Sequence, residues 1–305
     1  MLAFIFPGQG SQRVGMGRDL IERFEVARRT FEEANDALGF DLRQMCLEGP
    51  EEALKLTENA QPAILACSVA ALRALRENTA LSPSYVAGHS LGEYSALVAA
   101  DALSLGDALR LVRERGRLMQ QAVPAGVGGM AALMGLDADG ARELCRAAAE
   151  EQVLELANDN GGGQIVIAGH SEALGRARGL AKAQRARCIP LKVSAPFHSS
   201  LMQPAADKLA ERLAEIAWQD CKLPVIGNVE AEPYSEAGRI AALLEQQMTA
   251  PVRWRASVQK MRDLGVNRFV EVGPGAVLAG LLRRIDKDID VSSVETPEHI
   301  VALAA

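Results

Sequence analysis

Gly88-His89-Ser90-Leu91-Gly92 constrains the fold of this 305-residue chain more than any other stretch. A serine spaced between two glycines in this way matches the sharp strand-to-helix turn that exposes a hydroxyl nucleophile. The glycines permit a turn too tight for a Cβ at either flank. The neighbouring residues agree with that geometry. SYVAGHS reads as a short strand entering the turn, and LGEYSALVAADAL as the helix leaving it.

The same alternation runs along the chain. LAFIF (Leu2–Phe6) is a short apolar run closed by Pro7-Gly8, which predicts a buried strand. Helical periodicity follows over 18–38 and again over 57–78, where Pro62 suits a helix start and Thr57 or Asn59 a cap. Near the C-terminus, RFVEVGPGAVLAGLLRRI reads as strand, turn, helix. Strands alternating with helices predict an α/β fold around a parallel sheet. Between 125 and 195 the texture changes. GGMAALMGL, GQIVIAG and RCIPLKV look like strands, with helical runs between them. A β-α-β-α-β series of this length suffices for a small inserted subdomain. The expected division is 1–124 with 196–305 as the large subdomain and 125–195 as the small one. The tail ETPEHIVALAA carries no clear signal.

Composition narrows the function classes. A net charge of -6 argues against a general nucleic-acid binder. No apolar run is long enough to span a bilayer, and MLAFIFPGQG lacks the basic start of a signal peptide. Five scattered cysteines, an odd number without a C-x-x-C pair, suggest neither a disulfide framework nor a zinc site. A cytoplasmic protein is expected.

A nucleophilic Ser90 needs a base, an oxyanion site and a substrate selector. Four histidines are available. His299 lies in the tail, His170 starts a helix as a cap or surface residue, and His89 adjoins the serine and points elsewhere. His198, in SAPFHSSLM, stands at a loop-to-helix junction, where it is either the base or a capping residue. The Leu91 N–H, at a helix N-terminus, is a natural oxyanion donor, and FPGQG with Gln9 is a candidate for a second. In SLGDALRLVRERGRLMQQAV, Ser104 and Asp107 make a capping-box-like start. At 100° per residue, Leu111, Val112, Leu118 and Met119 share an apolar face, with Arg110, Arg113 and Arg117 opposite. Arg115 falls within the apolar face. A guanidinium there needs an anion. That anion is either a protein carboxylate such as Glu93 or the carboxylate of a substrate.

The ordered set FPGQG, GHSLGE, the Arg115 helix and PFH resembles the malonyl-CoA:acyl carrier protein transacylases of fatty acid synthesis and the acyltransferase domains of polyketide synthases. The resemblance runs almost the whole chain, to TAPVRW and VEVGPG. It implies an α/β-hydrolase-like core with a ferredoxin-like subdomain. It implies Ser90 as the acylated nucleophile, His198 as base, and backbone N–H groups of Gln9 and Leu91 in the oxyanion hole. Arg115 would bind the malonyl carboxylate, and the Gln247 carbonyl would orient the histidine. Gln61, Asn228 and Asn160 match polar residues around the family's pocket. Phe197 fits the malonyl-type pattern, where a bulky ring fills the space that the methyl of methylmalonyl would need.

The implied reaction moves a malonyl group from malonyl-CoA to the phosphopantetheine thiol of acyl carrier protein through a malonyl-serine. It asks for no metal or cofactor, and a monomer is expected. A serine hydrolase remains a rival, because acids such as Glu143 and Asp159 lie between Ser90 and His198. A non-catalytic carrier-binding subunit is a second. Three basic groups are candidates for docking an acidic carrier: Arg187 with Lys192, Arg253 with Arg255, and Arg283 with Arg284 and Lys287. Each is equally an ordinary solvated face.

Overall fold

The computed structural model describes residues 1–124, 126–193 and 195–304. Its strands, in chain order, are β1 (Leu2–Phe6), β2 (Tyr85–Gly88), β3 (Gly128–Met134), β4 (Leu154–Asp159) and β5 (Gln164–His170). β6 (Arg187–Pro190), β7 (Val225–Ile226), β8 (Pro233–Tyr234), β9 (Arg268–Val272) and β10 (Asp290–Val294) follow. They form two sheets, in the orders β10-β9-β1-β2-β7-β8 and β4-β5-β3-β6.

The first sheet is parallel from β10 to β7, with β8 antiparallel at its edge. A parallel sheet must be covered on both faces, and the alternation in β1 shows how. Phe4 and Phe6 join the larger core, under the largely buried helix Thr57–Asn78. Ala3 and Ile5 join a second core on the opposite face, with Trp254, Phe269 and Leu282. This is the α/β-hydrolase-like core. Among the described residues, no helix is long and apolar enough to cross a membrane.

The second sheet is antiparallel throughout and packs its own core against helices Ala138–Ala149 and Ser171–Ala183. Its chain order is β-α-β-β-α-β, the ferredoxin-like arrangement. We propose the 125–195 segment as a distinct subdomain on this basis. Ala125, its expected first residue, and Ser194 lie outside the described residues.

The structure corrects several sequence expectations. The small subdomain has one strand more than expected, because β4 (LELAND) was not legible. Its Asn and Asp are poor strand formers, and it carries a register shift between Leu156 and Asn158. The 18–38 helix is two helices, Arg18–Arg23 and Glu25–Leu38, separated by Phe24 in extended conformation. Pro62 lies in the second turn of its helix, behind a Leu56 N-cap that makes no side-chain cap. The Thr57 hydroxyl instead accepts from Gln9 Nε2 at 3.3 Å, and Asn59 Nδ2 donates to the Ala53 carbonyl at 2.9 Å. β10 was not expected, and the tail after it forms a helix, Pro297–Ala304, whose Pro297 stands at the first helical position.

Candidate active site

Ser90 sits at the C-terminal end of β2, where open parallel sheets place their ligands. Its φ of 52° is left-handed, a conformation that costs a non-glycine residue and persists only where the surroundings enforce it. The two glycines are part of that enforcement. A Cβ on Gly88 would collide with the Gly92 carbonyl, and a Cβ on Gly92 with the Phe6 carbonyl at the end of β1. Asn228 completes it from across the sheet. Its Oδ1 accepts from the Ser90 N–H at 2.7 Å, and its Nδ2 donates to the Gly88 carbonyl at 2.7 Å.

His198 reaches the serine from the other side of the chain fold. It is buried, and also left-handed, at φ 59°. Nδ1 donates to the Gln247 carbonyl at 2.8 Å, which leaves Nε2 as an acceptor 2.8 Å from Ser90 Oγ. Burial, reinforced by the positive charge of Arg115, pushes the imidazole down to about 3. The ring is therefore neutral at physiological pH and available as a base. Neither acid of the hydrolase alternative takes part. Asp159 pairs with Arg255 at 3.0 Å, and Glu143 is exposed.

Arg115 is 1% exposed, on the buried face of helix Leu105–Gln121 with Leu111, Val112, Leu118 and Met119. Ser104 caps that helix as expected, accepting from Asp107 N–H at 3.1 Å. The guanidinium donates to Gln61 Oε1 at 2.8 Å, Gln247 Oε1 at 2.9 Å and Ser90 Oγ at 3.1 Å. Its remaining nitrogen, Nε, finds no protein acceptor among the described residues. The open alternative, a direct ion pair with Glu93, is not what the fold builds. The Gln247 side chain stands between the two, with Nε2 donating to Glu93 Oε2 at 2.7 Å. Glu93 also accepts from Tyr234 Oη at 2.9 Å and Asn228 N–H at 3.1 Å. Burial raises its carboxyl to about 7.

A cavity of about 430 Å³ opens onto these groups. Gln9, Ser90, Leu91, Arg115, Phe197 and His198 line it, and Lys55 and Lys192 stand among its lining residues. Of the three basic groups in the sequence, the one containing Lys192 is thus the one that borders the cavity. Gln61, Asn228 and Gln247 sit behind the reacting groups and hold them. Asn160, just beyond β4, accepts from His89 Nε2 at 2.8 Å through Oδ1, and so ties the small sheet to the elbow. His170 accepts the Val153 N–H on Nδ1 at 3.0 Å, and His299 the Glu295 N–H at 3.3 Å, both away from this site. The residue that sequence reasoning weighed for the wrong contact was Glu93. The signal was present, because it lies three residues after Ser90 on the elbow helix, and so beneath it.

A serine on a strand-to-helix elbow, a neutral histidine against its hydroxyl and a buried arginine in the same cavity define a class of serine-dependent acyl chemistry. The chain belongs to the acyl transferase domain family, whose model matches residues 3–298, and within it to the malonyl CoA-acyl carrier protein transacylases. It is 47% identical to the malonyl CoA-acyl carrier protein transacylase of Bacillus subtilis strain 168, over 98% of this chain and 95% of that one. The structure of the malonyl CoA-acyl carrier protein transacylase from Coxiella burnetii superposes with a TM-score of 0.98 at 42% identity, covering 99% and 96%. A malonyl-transacylase in complex with a type II PKS acyl-carrier protein superposes with a TM-score of 0.97 at 44% identity, covering 99% and 98%.

Proposed function

We propose that this chain transfers a malonyl group from malonyl-CoA to the phosphopantetheine thiol of acyl carrier protein, through a malonyl-Ser90 ester, in fatty acid biosynthesis. Family membership supports the overall reaction. One observation carries the assignment of roles: Arg115 is buried, lies 3.1 Å from the Ser90 hydroxyl and, among the described residues, makes its hydrogen bonds to neutral oxygens. A malonyl thioester has a single methylene between its carboxylate and its reacting carbonyl. A guanidinium within hydrogen-bond reach of the nucleophile can hold the first while the second is attacked.

Ser90 Oγ attacks the thioester carbonyl as its proton passes to His198 Nε2. The oxyanion is held by the Gln9 and Leu91 backbone N–H groups. Its collapse breaks the carbon–sulfur bond, and the coenzyme A sulfur leaves with the proton from Nε2. The carrier thiol then gives its proton to Nε2 and attacks the malonyl-Ser90 carbonyl. Collapse of the second oxyanion returns Ser90 with that proton. The Gln247 carbonyl fixes the imidazole tautomer through both halves. Phe197 narrows the cavity beside the acyl group. The reaction so written uses no cofactor. The protein works in the cytoplasm as a monomer, with Arg187 and Lys192 offered to the carrier.

Intact-mass measurement after incubation with malonyl-CoA alone tests the reading. A single malonyl adduct, absent from Ser90→Ala, is the expected result. Continuous release of free malonate without an adduct would identify a hydrolase.

A further inference from the structure

We propose that Glu93 is a positioning residue for malonyl selection: by accepting from Gln247 Nε2 it locks that side-chain amide with Oε1 turned to Arg115, and so aims the guanidinium into the acyl cavity. The inference rests on the reading of Arg115 as the carboxylate clamp.

A glutamine amide has two nearly isosteric ends, one donor and one acceptor. Gln247 stands between a guanidinium, which only donates, and a carboxylate, which accepts. In the observed orientation Oε1 meets Arg115 at 2.9 Å and Nε2 meets Glu93 at 2.7 Å. The flipped amide would set donor against donor on one side. Nε2 also lies 3.2 Å from the Ser90 carbonyl and 3.5 Å from Asn228 Oδ1, both longer contacts. Glu93 supplies the short bond, and it is itself fixed by Tyr234 Oη and the Asn228 N–H.

The interposed amide also keeps Arg115 open. A direct Glu93–Arg115 pair would satisfy the guanidinium with protein and leave little for a substrate carboxylate. A neutral oxygen holds the cation in place without neutralising it. Because Gln247 gives its backbone carbonyl to His198 and its side chain to Arg115, the two duties are separable in an experiment. The elbow is held by the Asn228 side chain and by the close packing of Gly88 and Gly92, and Glu93 touches that hold only through the Asn228 backbone N–H. Loss of Glu93 is therefore expected to disturb the clamp more than the nucleophile.

The test is kcat/KM for malonyl-CoA and acetyl-CoA in Glu93→Ala and Glu93→Gln, with melting curves and with Arg115→Ala measured alongside. In Glu93→Ala the malonyl-to-acetyl ratio should fall roughly 10-fold or more, the effect of losing a buried bond to a charged acceptor. Acetyl transfer should stay within a few-fold. Glu93→Gln keeps an oxygen that can accept from Gln247 and should restore most of the ratio. Equal losses for both donors, an unchanged ratio in a folded Glu93→Ala, or a Glu93→Gln as poor as the alanine would overturn the proposal. Where Glu93→Ala does not fold, Glu93→Asp carries the same test, since its carboxylate is withdrawn by one methylene, and an unchanged ratio there would also overturn it. If Arg115→Ala keeps its malonyl preference, the clamp reading itself has failed. If Arg115→Ala loses the preference and Glu93→Ala does not, only the present inference fails.

Discussion

Arg115 and Ser90 are hydrogen-bonded to each other, guanidinium to hydroxyl, at 3.1 Å. The selector and the nucleophile therefore share one point in the cavity. Arg115→Ala should lower kcat/KM for malonyl-CoA by about 2–5 kcal/mol of transition-state binding, the loss expected when a buried carboxylate loses its partner. Acetyl-CoA brings no carboxylate, so its transfer should fall little or rise. A melting curve beside the two kinetic measurements separates a clamp from a structural role, which would lower both donors alike.

Ser90→Ala should abolish the acyl-enzyme while leaving the fold intact. The elbow is held by the Ser90 backbone N–H on Asn228 and by the flanking glycines, none of which involves the hydroxyl. Circular dichroism and intact mass after incubation with malonyl-CoA check the two halves of this expectation. A stoichiometric adduct on the variant would remove Ser90 from its role.

Neutralising any single acid between Ser90 and His198 should leave substantial turnover. His198 Nδ1 is bound to the Gln247 carbonyl, so no carboxylate stands third in line. Asp159→Asn should cost only its exposed-side pairing with Arg255, and Glu143→Gln nothing measurable. A drop of about 10⁴-fold in kcat, as follows when a triad aspartate is neutralised, would contradict the observed hydrogen bond.

The pH dependence follows from the buried groups. His198 is pushed from 6.5 down to about 3. It stays neutral as pH falls through 6.5, so kcat/KM for malonyl-CoA should show no falling limb centred there. Stability behaves differently. Between pH 6.5 and about 3 the unfolded chain takes up a proton at this histidine and the native state does not, so its contribution is lost as pH falls. Glu93 and Glu271, each raised to about 7 by burial, act with the opposite sign. Their contributions are present below 4.5 and lost as pH rises to about 7. Glu271 accepts from the Leu278 and Ala279 N–H groups at the start of helix Val277–Ile285, outside the site. Glu271→Gln should therefore flatten the thermal stability profile between pH 4.5 and 7 without moving the kinetic one.

The sequence by itself determined the local features of this site. The elbow is written in Gly88, Ser90 and Gly92, because a tight strand-to-helix turn tolerates few residue types. Arg115 is legible because a charge in an apolar helical stripe violates the period around it. The helix Thr57–Asn78 and the strand Leu2–Phe6 were readable to the residue, since their apolar patterns are long or sharply bounded. β4, β7, β8 and β10 were not. They are short or polar, and what makes them strands is a neighbour's backbone rather than their own side chains. The tertiary structure alone decided the partnerships. It placed Gln247, 157 residues from Ser90, between Arg115 and Glu93, and it aimed Asn228 at the elbow from 138 residues away. Periodicity reports which side of an element is buried. It does not report which of the buried polar groups will meet, because in a close-packed interior that depends on how separate elements cross, and only the folded chain fixes the crossing.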